Sequence, residues 1–184
     1  MPGSFQLKFD VKVIKLAEFI EKGSDEKLFI RYYIPAFGDR RIQVDTKEIQ
    51  SNKNVSWNEC ASFVCHVNSD QIEQLDSSRI TFELRSKRTR QIFGGMTRSK
   101  LLAGGEILWK DVLESKGMQL EKWVKFSQKS GKLDGFKLPN LLVEMKAQVT
   151  RDAILHGKRR CGSDKVCDWA GSEVDMFSVE TLID

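Results

Sequence analysis

Phe5, Leu7, Phe9, Val11 and Val13 fall on odd positions, with Gln6, Lys8, Asp10 and Lys12 between them. Apolar residues at every second position mark a strand with one buried face, because successive side chains of an extended backbone point to opposite sides. The alternation returns in Leu28, Ile30, Tyr32 and Ile34, which end at Pro35, and in Ile42 and Val44 between Arg41, Gln43 and Asp45. It returns again in Ala61, Phe63, Cys65 and Val67 after Trp57-Asn58-Glu59, in Ile80, Phe82 and Leu84, and in Leu141, Val143, Met145, Ala147 and Val149. Two less regular runs, Leu101 to Trp109 and Trp123 to Phe126, lie between the last two. The pair Gly104-Gly105 inside the first of these predicts a bulge or a close backbone approach. Lys110 to Lys116 is the helix-like stretch, and it is too short to change the class.

Seven or eight short strands separated by turn signals argue for an all-β protein, a single antiparallel eight-stranded β-sandwich over residues 1–150. From Arg151 onward the alternation stops, so residues 151–184 are expected to form a mostly irregular tail, flexible or weakly docked. Val174, Met176, Phe177, Val179, Leu182 and Ile183 suit one amphipathic helix, but a frayed terminus is the simpler expectation.

Composition changes this picture little. A chain of 184 residues with 40% hydrophobic and 30% charged residues is long enough for one real core, and it is neither disordered nor membrane-spanning in type. Nothing approaches the run of about 20 apolar residues that a transmembrane helix needs. Met1-Pro2-Gly3 has neither a signal-like start nor a glycine placed for myristoylation, so a cytoplasmic protein, peripheral at membranes, is expected. Four cysteines are then free thiols in a reducing compartment. A net charge of +4 is too small to imply nucleic acid by itself.

Catalytic chemistry is poorly supplied. His66 lies in a strand and His156 in the tail, neither beside a nucleophile setting, and the glycine pairs lack the lysine and serine of a phosphate-binding loop. No enzyme is expected. His156, Cys161 and Cys167 fall short of the four closely spaced ligands of structural zinc. Cys60 and Cys65, five apart, face opposite sides of one regular strand, which disfavours pairing them.

Asn54-Val55-Ser56-Trp57-Asn58-Glu59 resembles the Asn-Pro-x-Trp-Asn-Glu signature of C2 domains, with Val55 in place of proline. Gly23-Ser24-Asp25 before Leu28 resembles the family's first loop, and Ile80 to Leu84 the hydrophobic strand before its third. Gly105-Glu106-Ile107 resembles the Ile-Gly-Glu that leads out of the third loop, and Trp123 the tryptophan that follows. The likeness covers residues 5–149 and implies a β-sandwich module that is not an enzyme and that binds membranes, often through calcium.

The calcium ligands implied by the resemblance are largely missing. Ca²⁺ takes six to eight oxygens, and C2 domains supply them mainly as aspartates of the first and third loops. Glu21 and Asp25 stand near the first loop, where Asp25 serves equally well as a turn residue. In the third loop the Asp-x-Asp positions fall on Ser86 and Arg88. A divalent ion about 5 Å from one guanidinium is repelled by about 2 kcal/mol even in water-like dielectric. No cofactor is therefore expected and calcium is disfavoured, although further carboxylates such as Asp39 or Asp45 leave a retained calcium site open.

In place of aspartates the chain carries Arg85, Lys87, Arg88, Arg90, Arg98 and Lys100, with no acidic residue among them and Ile92, Phe93 and Met96 inside the run. If the run is a loop, as the resemblance implies, Lys87, Arg88, Arg90, Arg98 and Lys100 suit anionic head groups, and Ile92 and Phe93 form an inserting tip. Each cation near an anionic leaflet is worth about 1 kcal/mol, so the set supplies about 5 kcal/mol at low salt. The expected partner is an anionic phospholipid surface. The alternatives are a solvated loop on a protein-interaction module, with an acidic protein as partner, and a retained calcium-dependent lipid binder. Nucleic acid is disfavoured because Phe93 is the one aromatic residue in the run.

Overall fold

The computed structural model describes residues 4–18, 26–36, 40–51, 55–88, 98–127, 138–151 and 180–182. Strand β1 (Ser4–Ala17) is followed by β2 (Glu26–Pro35), β3 (Arg41–Asp45), β4 (Ile49–Gln50) and β5 (Ser56–Asn68). Then come helix α1 (Ser69–Asp76), β6 (Arg79–Arg88), β7 (Lys100–Leu108), helix α2 (Trp109–Leu113), a 3₁₀ turn (Lys116–Met118), β8 (Gln119–Lys125), β9 (Asn140–Arg151) and β10 (Glu180–Leu182). Eight of these strands have five residues or more, in keeping with the eight-stranded expectation, and two short ones are added.

The strands form two antiparallel sheets, one in the order β10-β5-β1-β9-β8 and the other β3-β2-β6-β7, with β4 beside β2. Each alternation seen in the sequence points inward. Leu7, Phe9, Val11, Val13, Phe63, Val143 and Met145 of the first sheet meet Leu28, Ile30, Tyr32, Ile80, Phe82 and Leu84 of the second, all at most 3% exposed. Phe9 at the centre stacks on Phe63 at 4.9 Å between ring centroids and takes the edge of the fully buried Trp109 at 5.0 Å.

Trp57-Asn58-Glu59 holds this scaffold in register. The Trp57 indole N–H donates to the Lys47 carbonyl at 3.1 Å, and both Glu59 carboxylate oxygens accept from the Lys47 backbone N–H at 3.1 Å. Along β1 the partners step from Val13 to Lys15, while along β5 they step from Glu59 to Ser56, so β5 carries one extra residue there. Asn58 absorbs it at φ +51°, a left-handed conformation that asparagine tolerates better than most residues.

The glycine pair makes a close approach, and the bulge sits nearby at Leu102, where β7 slips against β6. A Cβ on Gly105 would lie 2.6 Å from Val124 Cγ1 and 2.7 Å from the Lys125 carbonyl oxygen. Gly104 and Ser127 exchange two backbone hydrogen bonds, of 3.1 and 2.8 Å, which stitch the edge of one sheet to the edge of the other.

One sequence expectation needs correction. The helix-like stretch is Trp109–Leu113, and a longer helix stands at Ser69–Asp76, which the apolar pattern did not reveal. Its start is a capping box: the Asn68 side chain accepts from the Gln71 N–H at 2.8 Å, and the Gln71 side chain accepts from the Asn68 N–H at 2.9 Å. In the tail, expected to be mostly irregular and flexible or weakly docked, Glu180–Leu182 is a strand paired with Cys60–Ser62. His156, Cys161 and Cys167 lie outside the described residues. Cys60 is half-buried and Cys65 buried, and both are free thiols.

Candidate functional site

Strand registers bring four connections to one end of the sandwich. Ala17, at the end of β1, pairs with Asn140, which also faces Lys125 at the end of β8. In the other sheet Glu26 pairs with Arg88, Lys27 with Gln50, and Ser86 with Lys100. Leu16 donates to the Val55 carbonyl at 2.9 Å and Ser51 to the Glu26 carbonyl at 3.1 Å, so strand ends of both sheets meet here. The described residues that flank segments 19–25, 52–54, 89–97 and 128–137 therefore all stand at this end.

Of the residues singled out from sequence, Lys87, Arg88, Arg98 and Lys100 stand at this rim. Glu21, Asp25, Arg90, Ile92 and Phe93 lie outside the described residues. Asp39 does too, but its neighbours Ala36 and Arg40 are joined by a 2.8 Å hydrogen bond at the far end of β2. A strand of ten residues separates Ala36 and Arg40 from the rim, a span of about 30 Å. Asp45 is engaged elsewhere as well: its two oxygens accept from Arg31 Nε and one terminal nitrogen, each at 2.7 Å.

The basic run is not one loop. Arg85, Ser86, Lys87 and Arg88 belong to β6, and Lys100 opens β7. Cross-strand pairing supplies the acidic partners that the run lacks in sequence. Lys87 Nζ lies 2.7 Å from Glu48, which also faces Lys27 at 4.0 Å. Arg88 Nε is 3.8 Å from Glu26 while its side chain stays 82% exposed. Arg85 is a clamp, mostly buried, bound to Glu83 at 2.7 Å and to the Ser99 hydroxyl at 3.0 Å. Arg98 and Lys100 are exposed and have no acidic partner among the described residues.

Charge at this rim is thus graded. Lys87 is largely compensated, Arg88 partly, and Arg98 and Lys100 project charge into solvent. The donor set at the third-loop positions does not fit Ca²⁺, since Ser86 is a buried strand hydroxyl, 4% exposed, and Arg88 a cation. Among the described residues no three His, Cys, Asp or Glu side chains cluster as metal ligands do, and no helix is long and apolar enough to cross a membrane.

Sequence reasoning missed Glu26 and Glu48 because their partners are set by strand register. It also missed the exposure of Trp123, whose ring is 43% accessible on the outer face of the first sheet with Lys15 Nζ 5.9 Å from its centroid. Beside this ring, between β7 and β8, a groove of about 500 Å³ is floored by Gly104 and Gly105 and flanked by Lys122, Lys125 and Ser127.

No protein-family model matches this sequence, and no curated protein does so either. Solved structures do match the fold. One comes from work on CC2D1B, which coordinates ESCRT-III activity during mitotic reformation of the nuclear envelope. It is 14% identical, with a TM-score of 0.57 over 83% of this chain and 72% of that one. Another is a structure of extended synaptotagmin 2 that joins an SMP domain to a pair of C2 domains, 11% identical with a TM-score of 0.51 over 81% of this chain and 28% of that one. The chain has the C2-domain fold.

Proposed function

We propose that this protein is a non-enzymatic module that associates with anionic phospholipid membranes without calcium, through the end of the sandwich where four connections emerge. The observation that carries this reading is the exposed cationic rim of Arg88, Arg98 and Lys100, of which Arg88 stands where the C2 resemblance calls for a carboxylate. In this reading Lys87 and Arg90 add to the head-group contacts, Ile92 and Phe93 insert, and the protein works as a peripheral component at the cytoplasmic face. Each uncompensated cation contributes about 1 kcal/mol at low salt, so binding is weak, reversible and salt-sensitive.

Co-sedimentation with neutral or anionic liposomes, in calcium or chelator and at two salt concentrations, tests this directly. Binding to anionic liposomes in chelator that fades with salt is the expected result. Equal pelleting with neutral and anionic liposomes, or none, refutes it, and a requirement for calcium refutes calcium independence. Changing Arg88, Arg90 and Arg98 to Glu should abolish binding, while Lys8→Glu with Lys12→Glu on the outer sheet face should weaken it less.

A second reading is a protein-interaction module. It is favoured by the edge of β5, which takes the extended segment Glu180–Leu182 as an added strand and so has the geometry to take a partner's strand. An acidic protein at the basic rim belongs to the same reading. Absence of liposome binding together with capture of a defined acidic peptide would favour it.

A further inference from the structure

Among the described residues, the exposed large apolar side chains are Leu108 and Trp123. Leu108 belongs to the far end of the sandwich, where β7 passes into α2. Trp123 does not. On the outer face of the first sheet it stands in a cross-strand row with Leu142 and Lys15, and the next row toward the rim pairs Lys125 with Asn140. Two residues of strand, about 7 Å, separate the Trp123 row from the Lys125 row.

Lys15 stands level with this indole and Lys125 one row nearer the rim, both exposed, and Glu18 also lies on the rim side, accepting from Asn140 Nδ2 at 3.3 Å. Behind it, away from the rim, come Glu121 and Glu144, with Lys146 Nζ 3.2 Å from Glu144 and Lys12 paired with Glu144 across the strands. An exposed apolar ring with one lysine level with it and another toward the rim suits an anionic interface approached from the rim.

Tryptophan suits that boundary because the indole buries an apolar body while its N–H stays in contact with water and head groups. Lysines beside it bury their methylenes and keep the ammonium at the phosphate level. The groove next to the ring is lined by Gly104, Gly105, Glu106, Lys122 and Lys125, and Lys122 is held by Asp111 at 2.7 Å, so Lys125 is the lysine of this groove that is left for a head group among the described residues.

We propose that Trp123, with Leu142, Lys15 and Lys125, is a second membrane contact, so that the domain rests tilted on the rim and on the adjoining half of the first sheet's outer face. This inference rests on the membrane reading above and adds an orientation to it. A contact through the connections alone would leave Trp123 in water.

The test uses the full chain carrying Trp169→Phe. Its remaining tryptophans are Trp57 and Trp109, both buried, and Trp123. Vesicles of phosphatidylserine and phosphatidylcholine are prepared with and without bromine on the upper acyl chains. Bromolipid should quench the emission, the quenching should vanish in Trp123→Phe, and Trp123→Ala should bind the vesicles about fivefold more weakly. If vesicles sediment the protein but quenching is the same with and without Trp123, and Trp123→Ala binds as tightly as its parent, the tilt is wrong and membrane association stands. If no vesicle sediments the protein, both fall. Should Trp123→Ala fold poorly, the quenching comparison between Trp123 and Phe decides alone.

Discussion

Replacing Gly105 with alanine tests whether the two sheets close through bare backbone. The new Cβ would meet Val124 Cγ1 at 2.6 Å, the Lys125 carbonyl oxygen at 2.7 Å and Phe126 Cδ1 at 2.9 Å. Side chains can swing away, but the carbonyl is fixed in β8, so the strands must separate. Overpacking of this kind costs about 1–3 kcal/mol. The neighbouring pair of hydrogen bonds between Gly104 and Ser127 is worth about 1 kcal/mol each and weakens as the seam opens. Restricting the unfolded chain returns about 0.4–1 kcal/mol. The net expectation is a loss of about 2–3 kcal/mol.

Gly117 is the control, because the two glycines fail in different ways. It lies at φ +68° with nothing within 4 Å of an added Cβ, so alanine there meets backbone strain of about 1–2 kcal/mol and no clash. After the same unfolded-state gain the loss is about 1 kcal/mol. Urea unfolding followed by far-UV circular dichroism reads both. With a slope of about 2 kcal/mol per molar, the midpoint should fall by about 1–1.5 M for Gly105→Ala and about 0.5 M for Gly117→Ala. A midpoint for Gly105→Ala at or above that of Gly117→Ala would refute the argument that the seam needs bare backbone.

Asn58 should tolerate Gly within about 0.5 kcal/mol but lose about 1 kcal/mol as Ala, since its left-handed backbone and not its side chain is the requirement; equal losses in urea unfolding would count against this. Burial pushes the Cys65 thiol up to about 11. The unfolded chain therefore loses this proton first, and the contribution of Cys65 to stability is full below about 8.5 and is lost as pH climbs to about 11. Unfolding free energy measured from pH 8 to 10.5 should fall less steeply in Cys65→Ala, and parallel slopes would be the contrary result. Because Glu48 lies 2.7 Å from Lys87 whereas Arg98 has no acidic partner among the described residues, Arg98→Ala should weaken anionic liposome binding more than Lys87→Ala; the reverse order would undo the charge grading at the rim.

Much of the fold was legible because each long strand has one wet and one dry face. Leu28, Ile30, Tyr32 and Ile34 are all buried as their spacing predicts, as are Ile80, Phe82 and Leu84. Helix α1 was not legible in this way, since Leu75 is its one buried side chain and a capping box is its clearest local signal. The candidate site was legible in part. Sequence placed Arg88, Arg98 and Lys100 in one basic run, but which of them keep an uncompensated charge depends on Glu26 and Glu48, brought alongside by strands β2 and β4. Neighbours created by register leave no trace in the spacing of a single run. Trp123 shows the same limit: its row with Leu142 and Lys15 draws on three strands far apart in the chain.

The position of β1 between β5 and β9 also governs the order in which the molecule can assemble. Phe5 lies opposite Arg151, so the first strand completes its pairing only with the last long one, across nearly the whole chain. Contacts of such separation are slow to form, because loop closure must come before any gain from pairing. Until Asn140–Arg151 arrives, β1 has β5 on one side and an open edge on the other, and β8 has no strand partner in its sheet. A chain that stops before residue 140 is therefore not a smaller sandwich but a half-paired sheet with its apolar face open, a species prone to edge-to-edge association.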